Sequence, residues 1–168
     1  MEITSLSSFL DYYQKIISRT DKLVGLAPSS QLESKCGPGR FSCGDLIRHI
    51  VTTERFMYAE VISGKPSTYH GCGKELADGY EEVMTFYQQL RKESMAIFSH
   101  LSDEDLQKKC MTPAGVTITA WKWLRAMIEH EIHHRGQLYT TLGLMGIATP
   151  PIFGLTAEDV QKRSHYGS

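Results

Sequence analysis

Three histidines form the pattern with the clearest chemical meaning in this chain of 168 residues. His130 and His134 are four residues apart in a long helical pattern, so they lie on one face of a helix, one turn apart. Two imidazoles in that arrangement can hold one metal ion together. His49 lies on the inward stripe of another predicted helix and adds a third nitrogen. Three neutral ligands from two helices leave coordination positions open, which is typical of a catalytic site.

A structural role for these histidines is the competing interpretation. A single buried imidazole with a hydrogen-bond partner is common, but three on facing stripes need three partners unless they share a task. We therefore predict that His49, His130 and His134 are metal ligands, and we interpret His133, at the edge of the stripe, as an outer or surface residue. The other histidines lie near predicted loops or chain ends and are expected to be solvated: His70, His100 and His165.

Four long amphipathic segments must position these histidines, because apolar residues recur in them at intervals of three and four. The last of them runs from about Ala120 to Met145. Before it, Thr112-Pro113-Ala114-Gly115 has the composition of a turn and lies between short segments in which apolar and polar residues alternate. Thr156 begins a short final helix. We predict an all-α fold: a four-helix bundle with a small hairpin or crossover before the last long helix and a short C-terminal helix, as a single domain over residues 1–168.

Composition narrows the class of protein. Hydrophobic residues make up 41% and charged residues 22%, ordinary values for a soluble globular domain. The net charge of −1 and the lack of a Lys/Arg-rich block argue against nucleic acid as a partner. No apolar run is long enough to span a membrane and the N-terminus lacks the pattern of a signal peptide, so the cytoplasm is the expected location. The cysteines form no C-x-x-C pair and are expected to be reduced: Cys36, Cys43, Cys72 and Cys110.

The run His130-Glu131-Ile132-His133-His134 also satisfies H-E-x-x-H, the zincin protease pattern. In that interpretation the two histidines bind zinc, Glu131 is the general base, and Glu158 is the only candidate for the third zinc ligand. The chain is too short and too helical for the usual zincin architecture, so we disfavour a protease. A role for Glu131 as a base or as an outer partner of the site stays open.

The segment Glu129-His130-Glu131-Ile132-His133-His134-Arg135-Gly136-Gln137-Leu138 resembles the hallmark of the DinB/YfiT-like family of metal-dependent enzymes. Leu46-Ile47-Arg48-His49-Ile50 resembles the earlier histidine motif of that family, and Thr112-Pro113-Ala114-Gly115 also fits. The likeness extends over about residues 5–160. The His-Arg-Gly-Gln motif is the most specific part of it.

The resemblance implies a four-helix bundle whose divalent metal is held by His49, His130 and His134. It also implies a homodimer, since members of the family often form one. Characterised relatives include S-transferases that use bacillithiol or mycothiol, and a mycothiol-dependent maleylpyruvate isomerase. The resemblance therefore implies a low-molecular-weight thiol as co-substrate and small electrophiles as substrates.

Three neutral ligands leave the full charge of the ion available for chemistry. Such a charge activates a bound water for hydrolysis or holds a thiolate for S-transfer, and a non-catalytic metal-binding stress protein is the third class. Histidine nitrogens suit several metals, of which zinc or nickel is expected here. Arg135 follows a ligand and is a candidate for binding an acidic group, with a structural salt bridge as the alternative. An apolar stripe on the last long helix, opposite the histidines, is the candidate dimer face: Trp121, Ile128, Ile132 and Tyr139. The equal alternative is that the 107–119 crossover or the short last helix covers this stripe within the chain.

Overall fold

Local capping signals set where the first two helices begin. The computed structural model describes residues 2–164, so His165 and the two ends of the predicted 1–168 domain lie outside the described residues. Helix α1 (Leu6–Val24) follows Ser5, whose hydroxyl accepts a hydrogen bond from the backbone of Ser8. Helix α2 (Cys43–Thr53) starts with a capping box in which Ser42 and Asp45 satisfy each other's backbone N–H groups.

The remaining elements come in an order that matches the prediction. A π-helical segment (Glu54–Ala59) and a last short turn, α3 (Glu60–Ile62), continue α2 without a break. After α4 (Tyr80–Ser99), an antiparallel hairpin precedes the longest helix. The later elements are β1 (Lys109–Met111), β2 (Thr117–Thr119), α5 (Ala120–Leu144) and α6 (Ala157–Ser164). The predicted all-α bundle, with its hairpin and short final helix, is confirmed.

The four long helices α1, α2, α4 and α5 form a bundle in which α1 and α2, although consecutive in sequence, do not pack chiefly against each other. Helix α2 packs chiefly against α4 and α5, and α1 packs against the same two helices. The buried side chains form two clusters, one around Leu46 and Leu138 and one around Phe98 and Leu124. This arrangement places the inward face of α2 directly against α5, which is what the predicted histidine site requires. Within residues 2–164 no helix is long and apolar enough to cross a membrane.

The stripe on α5 opposite the histidines divides into a covered half and an open half. Ile128 is buried and Trp121 half-buried, both packed within the chain beside the hairpin end of the bundle. Ile132 and Tyr139 stay exposed, each with more than a third of its surface accessible. Intrachain packing therefore covers part of the face, and the homodimer stays a prediction.

Candidate metal centre

The three predicted histidines meet at one point between α2 and α5. The Nε2 atom of His49 lies 3.2 Å from Nε2 of His130 and 3.1 Å from Nε2 of His134. Each of the three side chains can offer one nitrogen to a group whose members all lie within 4.8 Å of one another. His134 is buried, whereas His49 and His130 are half-buried. The site therefore has a closed inner side and an open outer side.

These distances fit a single metal ion. Two nitrogens that are each about 2.0–2.1 Å from one ion lie about 2.9 Å apart at a right angle and about 3.4 Å apart at a tetrahedral angle. The observed separations of 3.1 and 3.2 Å fall between these values. In addition, three imidazole nitrogens that point at one another repel unless a cation or a shared proton lies between them. The geometry and the donor chemistry both suit a divalent cation.

Hydrogen bonds on the far side of two rings orient them toward this point. Nδ1 of His134 lies 2.8 Å from Oε1 of Gln137, an acceptor, so the ring proton is assigned to Nδ1 and the lone pair to Nε2. Nδ1 of His49 lies 3.0 Å from the Tyr69 hydroxyl. Outer partners of this kind fix the ring orientation and raise the basicity of ligating histidines. Sequence analysis missed both partners.

The π-helical segment tethers the loop that carries Tyr69. Its wider turn leaves the carbonyl oxygen of Phe56 free to accept hydrogen bonds from outside the helix, from the backbone N–H of Thr68 at 2.7 Å and the hydroxyl of Ser67 at 3.1 Å. These bonds hold the loop beside α2, where the Tyr69 hydroxyl reaches His49. Irregular helical geometry is thus used to position one candidate ligand.

A buried arginine next to His49 anchors the loops on either side of α2. Arg48 is fully buried and pairs with Glu33 at 2.7 Å and Asp45 at 2.9 Å. It also donates to the carbonyl oxygens of Cys72 and Ala77. One side chain therefore joins the loop before α2 to the loop after α3, and both loops border the histidines.

Burial keeps the three imidazoles neutral. It lowers the pKa of His49 to about 4 and that of His130 to about 3, with the other histidines of the cluster adding to the effect. The pKa of His134 is also lowered, chiefly by burial, although the hydrogen bond to Gln137 opposes the shift. Neutral imidazole is the form that binds a metal ion, so the environment favours the ligating state.

We expect the metal-free protein to lose stability as the pH falls from about 6.5 to about 4. The folded-state pKa values of about 4 for His49 and about 3 for His130 lie below the ordinary value of 6.5. The unfolded chain therefore binds protons in this window while the folded chain does not, and protons favour unfolding. Urea unfolding of EDTA-treated wild type and His130→Leu, at pH 7 and pH 5, should give a smaller loss for the variant. Equal losses would contradict the prediction, and exposed His100→Leu is the control.

A cleft of about 660 Å³ lies close to the histidine cluster, and its wall includes His133 but not the three candidate ligands. Phe41 stands at its wall with its ring centroid 5.6 Å from that of His49, and Gln137, the partner of His134, lines the same space. The lining mixes one arginine with small polar and apolar groups: Cys36, Arg40, Leu46, Thr140, Thr141 and Leu144. The cleft is thus connected to the candidate ligands through Phe41 and Gln137, which contact His49 and His134.

The structure places the candidate base Glu131 in a buried ion-pair network. Its carboxylate accepts hydrogen bonds from Nη1 and Nη2 of Arg91 at 2.8 Å, from the Tyr13 hydroxyl at 2.9 Å and from the Thr20 hydroxyl at 2.7 Å. Arg91 also pairs with Glu54, which is equally buried. Burial raises the pKa of Glu131, but the charge and hydrogen bonds of Arg91 outweigh it and the net shift is downward. No described hydrogen bond of this carboxylate reaches a histidine.

Arg135, the other candidate catalytic residue, is also buried away from the three imidazoles. Its Nη1 donates to the carbonyl oxygen of Ile16 at 3.3 Å, and burial lowers its pKa, with the nearby charge of Arg19 adding to the effect against the opposing charge of Glu131. The structure therefore unites the three predicted metal ligands and does not unite Glu131 or Arg135 with them. The catalytic assignments of these two residues stay predictions.

Comparisons with known proteins agree with this architecture. The family model of the DinB superfamily matches residues 12–138. YjoA of Bacillus subtilis (strain 168) is 26% identical over 136 residues, which cover 80% of this chain and 86% of that protein.

Three solved structures share the fold. A DinB-like protein from Bacillus cereus ATCC 10987 superposes with a TM-score of 0.75 at 19% identity, covering 88% of this chain and 97% of that one. YjoA from Bacillus subtilis gives 0.71 at 21% identity, covering 86% and 96%. YfiT from Bacillus subtilis, described as a probable metal-dependent hydrolase with an unusual four-helix bundle topology, gives 0.66 at 14% identity, covering 85% and 89%.

Proposed function

Because this chain belongs to the DinB superfamily, and because its three convergent imidazoles lie close to an open cleft, we propose that it is a metal-dependent enzyme that transfers a low-molecular-weight thiol to small electrophiles. The observation that carries the proposal is the convergence of three neutral Nε2 atoms, two of whose rings contact residues that line a space of about 660 Å³. An ion held only by neutral ligands keeps its full charge and has room for further ligands.

His49, His130 and His134 would hold the ion, with zinc or nickel as the proposed metal. When bound, such an ion lowers the pKa of a thiol or a water molecule that it contacts. The chain's own contribution is orientation. Gln137 and Tyr69 fix two of the imidazole rings through Nδ1.

The cleft would hold the two reactants close to the site. Its volume suits a small organic molecule, and the Phe41 ring next to His49 gives it an apolar wall. In the transfer, the thiol sulfur forms a bond to the electrophilic carbon, the leaving group departs with its bonding pair, and the thiol proton passes to solvent. The residues that border the cleft need to position the two molecules and need not react themselves.

The state of Glu131 favours thiol transfer over hydrolysis. Hydrolysis by an activated water is helped by a nearby proton acceptor, and Glu131 was the candidate. Both of its oxygens are occupied by Arg91, Tyr13 and Thr20, and it is 2% exposed. A thiol that has already lost its proton to solvent needs no such acceptor.

A metal-dependent hydrolase is the second candidate, because YfiT, which shares the fold, is described as a probable one. The two reactions differ in what they consume. S-transfer uses one thiol for each electrophile, whereas hydrolysis of an ester proceeds without a thiol. A metal-binding protein without catalysis would gain stability from the ion and turn over neither.

The test is a thiol-conjugation assay with the metal-loaded protein. Monobromobimane is supplied with bacillithiol, glutathione or cysteine, and an aryl ester without thiol is assayed in parallel. We expect faster conjugation than with free metal for at least one thiol, no ester hydrolysis, and loss of the acceleration in His49→Ala. Ester turnover that requires no thiol would support the hydrolase, and no acceleration with any thiol would contradict the transferase.

A further inference from the structure

Arg135 is a buried cation without a counter-ion in the described part of the chain. The residue is only 5% exposed, yet no carboxylate within residues 2–164 lies within ion-pair distance of its guanidinium. The nearest acidic neighbour along the helix, Glu131, is engaged by Arg91. Burying an unpaired charge is costly, so a position of this kind needs an explanation.

The hydrogen bonds of Arg135 leave most of its donors unused. A guanidinium has about five N–H donors. Only Nη1 has a described partner, the carbonyl oxygen of Ile16 at 3.3 Å. Arg135 also lines an open space on the surface of the bundle. The guanidinium is therefore covered by the protein but still faces open space.

That space is a second cleft, of about 620 Å³, between α5 and the segment that leads into α6. Arg135 supplies the cationic group of this cleft. Its other walls are largely apolar and include Ile132, Tyr139, Pro151, Ile152, Phe153 and Leu155. The first cleft, beside the histidines, shares only Gly136 with it. The two spaces thus lie on different sides of α5.

A second arginine stands at the edge of this cleft. The guanidinium of Arg19 lies 5.1 Å from the ring centroid of Phe153, and Phe153 is 79% exposed although it lines the cleft. Within residues 2–164 Arg19 has no ion-pair partner either. Two like charges near one apolar space repel each other, and a bound anion would relieve both.

We propose that this cleft binds an organic carboxylate with an apolar body, the carboxylate on the Arg135 guanidinium and the body against Tyr139 and Phe153. A guanidinium edge matches a carboxylate in shape and charge, and its partial burial strengthens the pair. The apolar walls favour an aliphatic or aromatic acid over a small hydrated anion such as phosphate. This site is separate from the metal centre and does not depend on the reaction proposed for it.

Two other occupants are outcomes of the test. Glu158 also lines the cleft and is exposed, so it could swing onto Arg135 as an internal partner. A second copy of the chain could cover the same face, since Ile132 and Tyr139 are exposed there. Neither occupant would leave room for a small carboxylate.

The probes are 1-naphthoate and its uncharged analogue 1-naphthamide, titrated into the wild-type protein by calorimetry at low salt. We expect naphthoate to bind at least about tenfold more tightly than the amide, because only the carboxylate gains a charge-assisted pair. Arg135→Met should remove this preference, whereas Arg40→Met, in the other cleft, should keep it. Equal binding of the two probes, or no binding, would overturn the proposal.

Variants at the rim keep the test decisive if Arg135→Met fails to fold. Arg19→Gln and Phe153→Ala change exposed or half-exposed side chains and should weaken naphthoate binding several-fold while the metal content is unchanged. Glu158→Gln should bind naphthoate at least as tightly as wild type. If Glu158→Gln instead destabilises the fold, or if wild type is a dimer that naphthoate does not enter, the cleft has one of the other occupants and the proposal is wrong.

Discussion

His130→Ala and His134→Ala should each leave the protein without a stoichiometric divalent ion. Each change removes one of three nitrogens that converge within 4.8 Å, and two remaining imidazoles hold a metal far less tightly. The loss of affinity should exceed the about 10- to 100-fold loss expected on removal of an outer hydrogen-bond partner. Elemental analysis of protein purified without a histidine tag measures the metal content directly.

Two variants on the same helix calibrate this result. His133→Ala removes an exposed imidazole that contacts Gln137, and it should keep one ion per chain. Gln137→Ala removes the partner of His134 Nδ1 and should weaken binding by about 10- to 100-fold without abolishing it. Full metal content in His130→Ala and His134→Ala would show that the ion, if any, binds elsewhere.

Arg91→Met should strongly destabilise the bundle. Arg91 is the shared cation of Glu54 and Glu131, each 2% exposed, and its removal leaves two carboxylates buried together. Breaking a buried pair by removing one partner costs about 3–5 kcal/mol of unfolding free energy. Urea unfolding at pH 7 measures it, and metal-loaded protein should be tested as well as metal-free protein.

The matched control is Arg125→Met, on α5. Arg125 pairs with Glu129 one turn away, and the two side chains are 41% and 66% exposed, so the change should cost less than about 1 kcal/mol. A comparable loss for the two variants would mean that the buried network contributes no more than a surface pair. In that event Glu131 would be freer to act as a base than its contacts suggest.

The candidate metal ligands could be predicted because they lie on regular helix. His130 and His134 follow the 100° period of α5 without interruption, so sequence spacing alone places them on one face. Gln137 could have been found by the same rule, since it lies three residues beyond His134. Tyr69 lies in a loop that has no period, and its position depends on hydrogen bonds to Phe56 that no local pattern reveals.

The second half of the α2 region departs from the predicted stripe. A 3.6-residue period puts Phe56 and Met57 inside and Tyr58 opposite His49, but Tyr58 is 6% exposed while Phe56 and Met57 are only half-buried. The π-helical turn from Glu54 to Ala59 changes the angle per residue and rotates the side chains beyond it about the helix axis. Amphipathic periodicity cannot detect this rotation, because it assumes a constant angle.

The buried ion-pair network around Arg91 was not predicted, although the sequence contains a weak indication of it. Arg91 lies three residues before Ser94 and four after Tyr87, on the inward face of α4, where a charge requires a buried partner. Finding that partner needs the packing of α4 against the π-helical segment, which supplies Glu54, and the position of α5 across the bundle, which supplies Glu131. The sequence thus indicates that a network exists but not which residues complete it.

The π-helical turn also has a consequence for how this chain can change in length. A π-helical turn contains one residue more than an α-helical turn. Deleting one residue from Glu54–Ala59 would therefore restore a regular α-helix without moving the helical segments on either side. Such a deletion would return the Phe56 carbonyl oxygen to a hydrogen bond within the helix. The hydrogen bonds from Ser67 and Thr68 that hold the loop of Tyr69 would then be lost. Descendants that lost the residue would keep the bundle and His49 but not its outer partner, and length variation at this one turn would separate lineages with differently supported metal sites.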